Sequence, residues 1–521
     1  MPRFGASAQG RAKISGTASF RSDALIARLC SRVLCVVGES MASSPVANDG
    51  EWTEFSAAMQ EVQEFVRQAR AAPKERPLFS ADPGLVDRFE EPAPLPEAPV
   101  PLASALGELL EVLRAGYCNA SHPNYHAYFA AKPRLEAVLG DFLGEALNQT
   151  PAAWRAGPGA TAIESEVLAW IADLVGYPRG GGFWPGGVVL GGGHLANLTA
   201  LKLARDRALG PEIQRLGLRG APSVGVYMSR EGHFSVPRAL DTLGLGRASL
   251  RVLEVDACGR MCTSALKAAI DSDRALGVVP LAVIGVAGTS GSAAVDPLAA
   301  IAEIAAAESL WFHVDGAAGA AMARLPGCAE AFAGLAAADS LTLDPCKWLF
   351  VPYGIGVLLV RDADALRQAF PSTSHYWEDL DEPDLYTMGP YGSRQIRTLG
   401  LWLLFRRLGS AGLMGLLTGL RRRTAYLAAR VEAAPELELL HTPTLAVCVF
   451  RAHLAGATAE ATNALNKRLQ RQLLAEGIAY VTVLDWRGAV YLRVGVNSYS
   501  LEDADLDRLV EGTLKLVHAG A

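Results

Sequence analysis

Apolar and polar positions follow two different rhythms along this chain. From Trp52 to Ala71 the apolar residues Phe55, Met59, Val62 and Phe65 recur every three or four positions, which predicts an amphipathic helix. Five prolines within residues 92–101 predict an extended connector, and a second helical run follows from Leu102 to Leu113. From about residue 160 the rhythm changes. Short β-rich runs at Val188–Leu190, Val224–Tyr227, Val252–Val255, Leu281–Val286, Trp311–Val314, Ser340–Leu343 and Gly356–Val360 are separated mostly by Ala- and Leu-rich helical stretches. That alternation predicts an α/β fold, with βα units forming a mainly parallel sheet covered by helices. Ligands of such sheets sit at the carboxyl ends of the strands. After about residue 395 a long helical stretch leads into strands near 444–451, 479–484 and 490–496, which predicts a smaller C-terminal α+β domain. The expected division is an extension over 1–40, a helical segment over 41–120, a large domain over 121–395 and a small domain over 396–521.

Composition narrows the classes. The 521 residues are 50% hydrophobic and 20% charged, enough for a sizeable core and inconsistent with whole-chain disorder. A net charge of −6 argues against a nucleic-acid partner. No stretch of about 18 uncharged apolar residues occurs, so no membrane span is expected. The eight cysteines are scattered without zinc-finger spacing, so no metal site and no disulfide framework are expected, and a reducing, cytoplasmic setting fits. The first forty residues differ from the rest. Arg3, Arg11, Lys13, Arg21, Arg28 and Arg32 face only Asp23 and Glu39, amid many Ser, Ala and Gly. This is the composition of a mitochondrial or plastid transit peptide, or else of a disordered extension ahead of a true start at Met41.

The segment richest in chemistry is His313-Val-Asp-Gly-Ala-Ala-Gly, followed by Asp339-Ser-Leu-Thr-Leu-Asp-Pro-Cys-Lys347-Trp. Asp315 ends one β-run and Lys347 follows another. Burial lowers an amine's pKa and suits it to Schiff-base chemistry. A carboxylate nearby is what a pyridine nitrogen needs to stay protonated and serve as an electron sink. At strand ends of one sheet, the two point to pyridoxal phosphate (PLP). Phosphate is bound by backbone N–H groups at a helix start, and Val189-Leu-Gly-Gly-Gly-His-Leu-Ala-Asn-Leu offers a strand, a glycine turn (Gly192, Gly193) and a helix. The same letters fit a GxGxxA dinucleotide fingerprint, but no acidic residue ends the next β-run near Tyr227.

These motifs resemble the group II PLP-dependent amino-acid decarboxylases, the family of aromatic-L-amino-acid, glutamate, histidine and cysteine-sulfinate decarboxylases. The resemblance runs through most of residues 50–515. It is carried by His313–Ala317, Asp344–Trp348, Ser121-His-Pro-Asn-Tyr-His-Ala-Tyr-Phe129 and Thr161-Ala-Ile-Glu-Ser-Glu166, the last taken as a helix start. It implies PLP fold type I (aspartate aminotransferase-like) and a homodimer. By the same resemblance Lys347 forms the Schiff base with the cofactor, Asp315 pairs with the pyridinium nitrogen and Ala317 packs near the ring. His233 stacks on the ring, Thr289 lies near the cofactor, and Ser393, next to Arg394, reaches the phosphate of the neighbouring subunit. Two positions depart from the pattern. His194 replaces the phosphate-binding serine, with Leu195 beside it, and Cys346 stands where many relatives have histidine. Tyr376, 29 residues after Lys347, matches the tyrosine that protonates the carbon left by the carboxylate. Relatives that produce aldehydes have phenylalanine there, so a tyrosine favours plain decarboxylation, unless it is only a lid contact.

For the substrate, Tyr128 and Phe129 match the aromatic wall beside the amino-acid side chain, while Thr150 and Ala152 are small. Lys132 and Arg155 are cations suited to an acidic substrate. The expected function is decarboxylation of an aromatic or bulky L-amino acid to the amine and carbon dioxide. The alternatives are an aldehyde synthase, an acidic amino-acid decarboxylase, and a non-catalytic binding module.

Overall fold

Seven β-runs, all but the edge strand largely buried, assemble into one sheet. The computed structural model describes residues 49–82, 84–90, 94–372 and 384–520. The strands are β1 (Gly187–Leu190), β2 (Val224–Ser229), β3 (Leu250–Leu253), β4 (Val279–Val286), β5 (Trp311–Asp315), β6 (Ser340–Leu343) and β7 (Gly356–Val360). Each lies within three residues of its predicted run. Their order is β1-β7-β6-β5-β4-β2-β3, with every pairing parallel except those of β7, which runs antiparallel to β1 and β6. Near-continuous apolar strands such as Val279–Val286 are what a sheet covered on both faces requires.

Five helices shape the cavity and its surroundings: α1 (Leu135–Leu147), α2 (Pro158–Val175), α3 (Gly193–Leu209), α4 (Ser235–Thr242) and the long α5 (Thr398–Glu432). The Thr161–Glu166 segment lies one turn inside α2, because Pro158 occupies the first helical position. Helix α1 packs small residues against α5. A Cβ on Gly140 would lie 2.5 Å from the Cα of Gly400, so the backbones meet closely there. A second sheet, entirely antiparallel, joins β8 (Leu437–Leu439), β9 (Val447–Ala452), β10 (Thr482–Trp486) and β11 (Ala489–Gly495) in the order β8-β9-β11-β10. A short antiparallel pair, Phe79–Ala81 with Gly116–Cys118, completes the strands of the described residues.

The chain divides into two compact units. One comprises residues up to Gln68 together with Asp87–Arg114, and the other comprises Ala69–Val86 and Ala115–Ala521. Within the first, the Leu102 N–H donates to Glu54 and the Arg114 guanidinium lies over the Phe65 ring. Both large sheets lie in the second. Residues 1–40 fall outside the described residues. Among the described residues no helix is long and apolar enough to cross a membrane.

Candidate active site

The carboxyl ends of the parallel strands enclose a cavity of about 210 Å³. It is lined by Gly193, His194 and Asn197 of α3, by His233, by Val286, Gly288 and Ser290 after β4, by Asp315, Ala317 and Ala318 after β5, and by Asp344 and Lys347 after β6. The sheet order explains the convergence. β4, β5 and β6 are adjacent and parallel, so their carboxyl ends open onto one edge, and α3 starts from β1 on the same side. Larger hollows exist, such as one of about 700 Å³ beside Trp170, Phe405 and Arg406, but no strand-end group lines that one.

The floor of α3 is made of backbone. Gly192 caps the helix with φ 135°, a conformation open to glycine, and a Cβ on Gly356 of β7 would overlap the Gly192 backbone. His194, half-buried, is the second residue of α3. A Cβ on Gly193 would meet Ala317 Cβ at 3.2 Å and Asp344 Oδ2 at 3.6 Å, so these groups crowd the same corner. Asp344 caps the single helical turn Pro345–Trp348 by accepting the Cys346 N–H. The Cys346 thiol also donates to Asp344 Oδ1 at 2.8 Å. Burial raises that thiol's pKa, with the Asp344 carboxylate adding to it, so the thiol stays protonated. Cys346 therefore braces Asp344 from behind and does not itself line the cavity.

Asp315 is buried, and its two oxygens accept different donors. Oδ2 takes the Asn197 side-chain N–H at 2.8 Å and Oδ1 the Ala317 N–H at 3.2 Å. His233 precedes α4, and its Nδ1 accepts the Ser235 N–H at 3.2 Å. Its pKa is lowered, chiefly by burial, with Asp315 opposing that shift and Lys347, His194 and Arg238 adding to it. Lys347 is half-buried, and its Nζ lies 5.2 Å from the centre of the Phe129 ring. Thr289 is buried, but its hydroxyl is committed to its own turn, accepting the Ala294 N–H and meeting Ser292 Oγ, while its neighbours Gly288 and Ser290 line the cavity. Tyr128 is exposed, with its ring edge-on to Tyr480. Ser393 is exposed and lies apart from this cavity, beside Arg394, which makes a buried bidentate pair with Glu164. Lys132 holds its Nζ over the Tyr499 ring. Tyr376 lies outside the described residues.

The structure adds residues that the sequence reading missed. Asn197 sits three residues after His194, on the same helical face, and that spacing was a readable signal. Arg493 of β11 is buried, with its guanidinium 4.6 Å from the Phe129 ring centre. Its three hydrogen bonds go to the carbonyls of Ser290, Gly291 and Ala127, and among the described residues no carboxylate pairs with it. Burial alone pushes its pKa down to about 10. An arginine inside the apolar run Val490–Val496 was the available cue.

Comparison with known proteins gives this geometry a context. The model of the pyridoxal-dependent decarboxylase conserved domain matches residues 84–453. An aromatic-L-amino-acid decarboxylase of Bacillus atrophaeus is 33% identical over 401 residues, covering 74% of this chain and 80% of that protein. An L-2,4-diaminobutyrate decarboxylase of Rhizobium meliloti (strain 1021) is 32% identical over 410 residues, covering 78% and 79%. The crystal structure of Oryza sativa TDC with PLP and tryptamine superposes with a TM-score of 0.85 at 26% identity, covering 92% of this chain and 99% of that one.

Proposed function

The chain belongs to the pyridoxal-dependent decarboxylase family as a PLP-dependent amino-acid carboxy-lyase of fold type I, and we propose that it converts an aromatic or bulky L-amino acid to the amine and carbon dioxide. The observation that carries the substrate class is the Phe129 ring, which lies 5.2 Å from Lys347 Nζ and forms an aromatic side to the reacting centre. Lys132 and Arg155, the cations suited to an acidic substrate, do not line the cavity, and Lys132 sits over Tyr499.

The residues present suit the cofactor. A glycine corner that a Cβ would crowd, the first N–H groups of α3, a carboxylate and a lysine border one cavity. Bound PLP supplies an electron sink for the pair left when carbon dioxide departs. In this reading Gly192, Gly193 and His194 hold the phosphate, and Asp315 keeps a proton on the ring nitrogen. His233 and Ala317 take the two sides of the ring, and Lys347 binds the aldehyde. Thr289 and Cys346 act by shaping the two loops that carry Ser290 and Asp344. Arg493, a buried cation without a carboxylate of its own, is suited to orient the substrate carboxylate against Phe129. Tyr376 is the proposed donor to the carbon that loses carboxylate, since a hydroxyl can deliver a proton and a phenyl ring cannot.

A homodimer belongs to the same reading. Helix α1 turns Ala137, Gly140 and Gly144 inward and leaves Leu135, Leu139, Phe142, Leu143 and Leu147 exposed. A helix that hides its small residues and exposes its large apolar ones is made to be covered, and a second copy is the occupant we infer. Ser393 follows from this, because Gln395 and Arg397 contact the C-terminal half of α1 and so put its segment beside that face. Sedimentation of the purified chain tests the dimer, and a monomer at micromolar concentration would refute it.

The substrate reading is tested by incubating the holoenzyme with a panel of L-amino acids, scoring carbon dioxide and identifying products in air. Aromatic substrates are expected to give the highest release, with amine and carbon dioxide in equal amounts. Highest release from glutamate or aspartate would overturn the substrate class, and aldehyde with peroxide would overturn the outcome.

A further inference from the structure

The group closest to Asp315 Oδ2 comes from another element, the Asn197 amide on the second turn of α3. Asn197 in turn belongs to a chain of side-chain hydrogen bonds that runs back through the sheet. Trp311 Nε1 lies 2.8 Å from Ser340 Oγ, and Ser340 Oγ lies 2.9 Å from His313 Nδ1. His313 Nε2 lies 3.1 Å from Asn197 Oδ1, while Asn197 Nδ2 donates to Asp315 Oδ2 at 2.8 Å and to Ser235 Oγ at 3.0 Å. All five side chains from Trp311 to Asp315 are buried.

Hydrogen-bond chemistry fixes the direction of every link. An indole N–H can only donate and a carboxylate can only accept, so the two ends are set. Asn197 must turn its NH2 to Asp315, which leaves its carbonyl oxygen facing His313 and puts the imidazole proton on Nε2. Burial holds that ring neutral by pushing its pKa down to about 4, so Nδ1 is an acceptor and takes the Ser340 hydroxyl proton. Each donor therefore points towards Asp315, and no charge is introduced along the way. Such a chain polarises in one sense, each bond strengthening the next.

We propose that Asn197 is the positioning residue for Asp315, and that the neutral Trp311–Ser340–His313 chain sets the orientation of its amide. The proposal rests on the reading of Asp315 as the partner of the cofactor's ring nitrogen. It assigns to three residues outside the cavity an influence on the cofactor's charge. The competing account is that the chain only ties β5, β6 and α3 together.

The test is a pH titration of the visible absorbance of bound PLP in the parent, Asp315→Asn, Asn197→Ala and Ser340→Ala proteins, alongside the melting temperature of each apoprotein. A positive ring nitrogen depresses proton affinity at the lysine nitrogen joined to the cofactor, so loosening Asp315 raises the titration midpoint. We expect a rise of about one pH unit or more in Asn197→Ala, and a smaller rise of the same sign in Ser340→Ala. A purely structural role would lower melting temperature and leave the midpoint in place. The proposal is overturned if Asp315→Asn raises the midpoint while Asn197→Ala and Ser340→Ala stay within about 0.2 units of the parent. If Asn197→Ala does not fold, Ser340→Ala, whose side chain does not line the cavity, decides by the same criterion. An unmoved midpoint in Asp315→Asn itself would instead remove the underlying reading, and this proposal with it.

Discussion

The two ends of the strand-end cavity are built by different rules. Around Asp315 the carboxylate is held by the buried Asn197 side chain and the Ala317 N–H, and the side-chain network reaches back through His313 to Ser340 and Trp311. Around the start of α3 the floor is glycine backbone, and the side chains present, His194 and Asp344, lie on the cavity wall and are only partly buried. A buried polar network is costly to leave partly satisfied, so one substitution there strands its partners. A backbone cradle keeps its N–H groups whatever side chain is carried, which makes substitution cheaper. The positions read in the sequence as departing from the resembled pattern, His194 and Cys346, lie at the backbone end, and those read as keeping it, His313 and Asp315, at the other.

The largest expected effect joins the two ends. Lys347→Ala should abolish both the visible cofactor band and carbon dioxide release while leaving the circular-dichroism spectrum of a folded protein. Residual turnover above a few per cent would show that another amine does its work.

Breaking the side-chain end comes next. Asp315→Asn should lower turnover by about two to three orders of magnitude, the scale of removing the partner of a buried cation. A steady-state assay showing less than a tenfold loss would mean that Asp315 does not serve the ring nitrogen.

The same end should be acid-sensitive. Burial pushes the pKa of His313 at that end, and of His126 elsewhere in the fold beside the Gly495 carbonyl, down to about 4, below the usual imidazole value of 6.5. Between those values the unfolded chain binds protons that the folded chain refuses. Stability from these rings is therefore fully present above about pH 6.5 and lost as pH falls through about 4, by an order of a few kcal/mol per ring. Chemical denaturation at a series of pH values measures it, and a flat profile over that range would show both rings charged in the fold.

The smallest effect is expected at the backbone end. His194→Ser should change the PLP dissociation constant by less than about tenfold, because the α3 amides remain. A larger loss would turn the comparison around by making His194 a specific phosphate donor.

Much of this architecture was legible in the residues themselves. The strands of the large sheet were readable because they are short runs, mostly apolar, bounded by helical text, and for the inner strands burial on both faces favours such runs. Asp315 and Lys347 were readable because a charged group at, or within a few residues of, the end of such a run has few places to go except the strand-end crevice. The fate of Thr289 was not readable, since a hydroxyl at the cavity loop and one turned into its own bend look alike in sequence. Arg493 left only the cue of a charge inside an apolar run, since its contact with Phe129 comes through the pairing of β11 with its neighbours.

The sequence by itself determined the periodicities, the strand-end acid and amine, the glycine turn and the chemistry that these types can perform. These are local properties, fixed by side-chain type and spacing of a few residues. Tertiary structure decided which polar groups face one another. Asn197 and Asp315 are 118 positions apart, and Asn197 and His313 are 116 apart, so only the packing of α3 across β5 could join them. It also decided that Cys346 braces Asp344 rather than facing the cavity, and that the large apolar side chains of α1 point outward because its glycines were needed against α5. The physical reason is the same in each case. A hydrogen bond or a close backbone contact depends on positions within a few tenths of an ångström, and distant segments acquire such positions only when the whole core is packed.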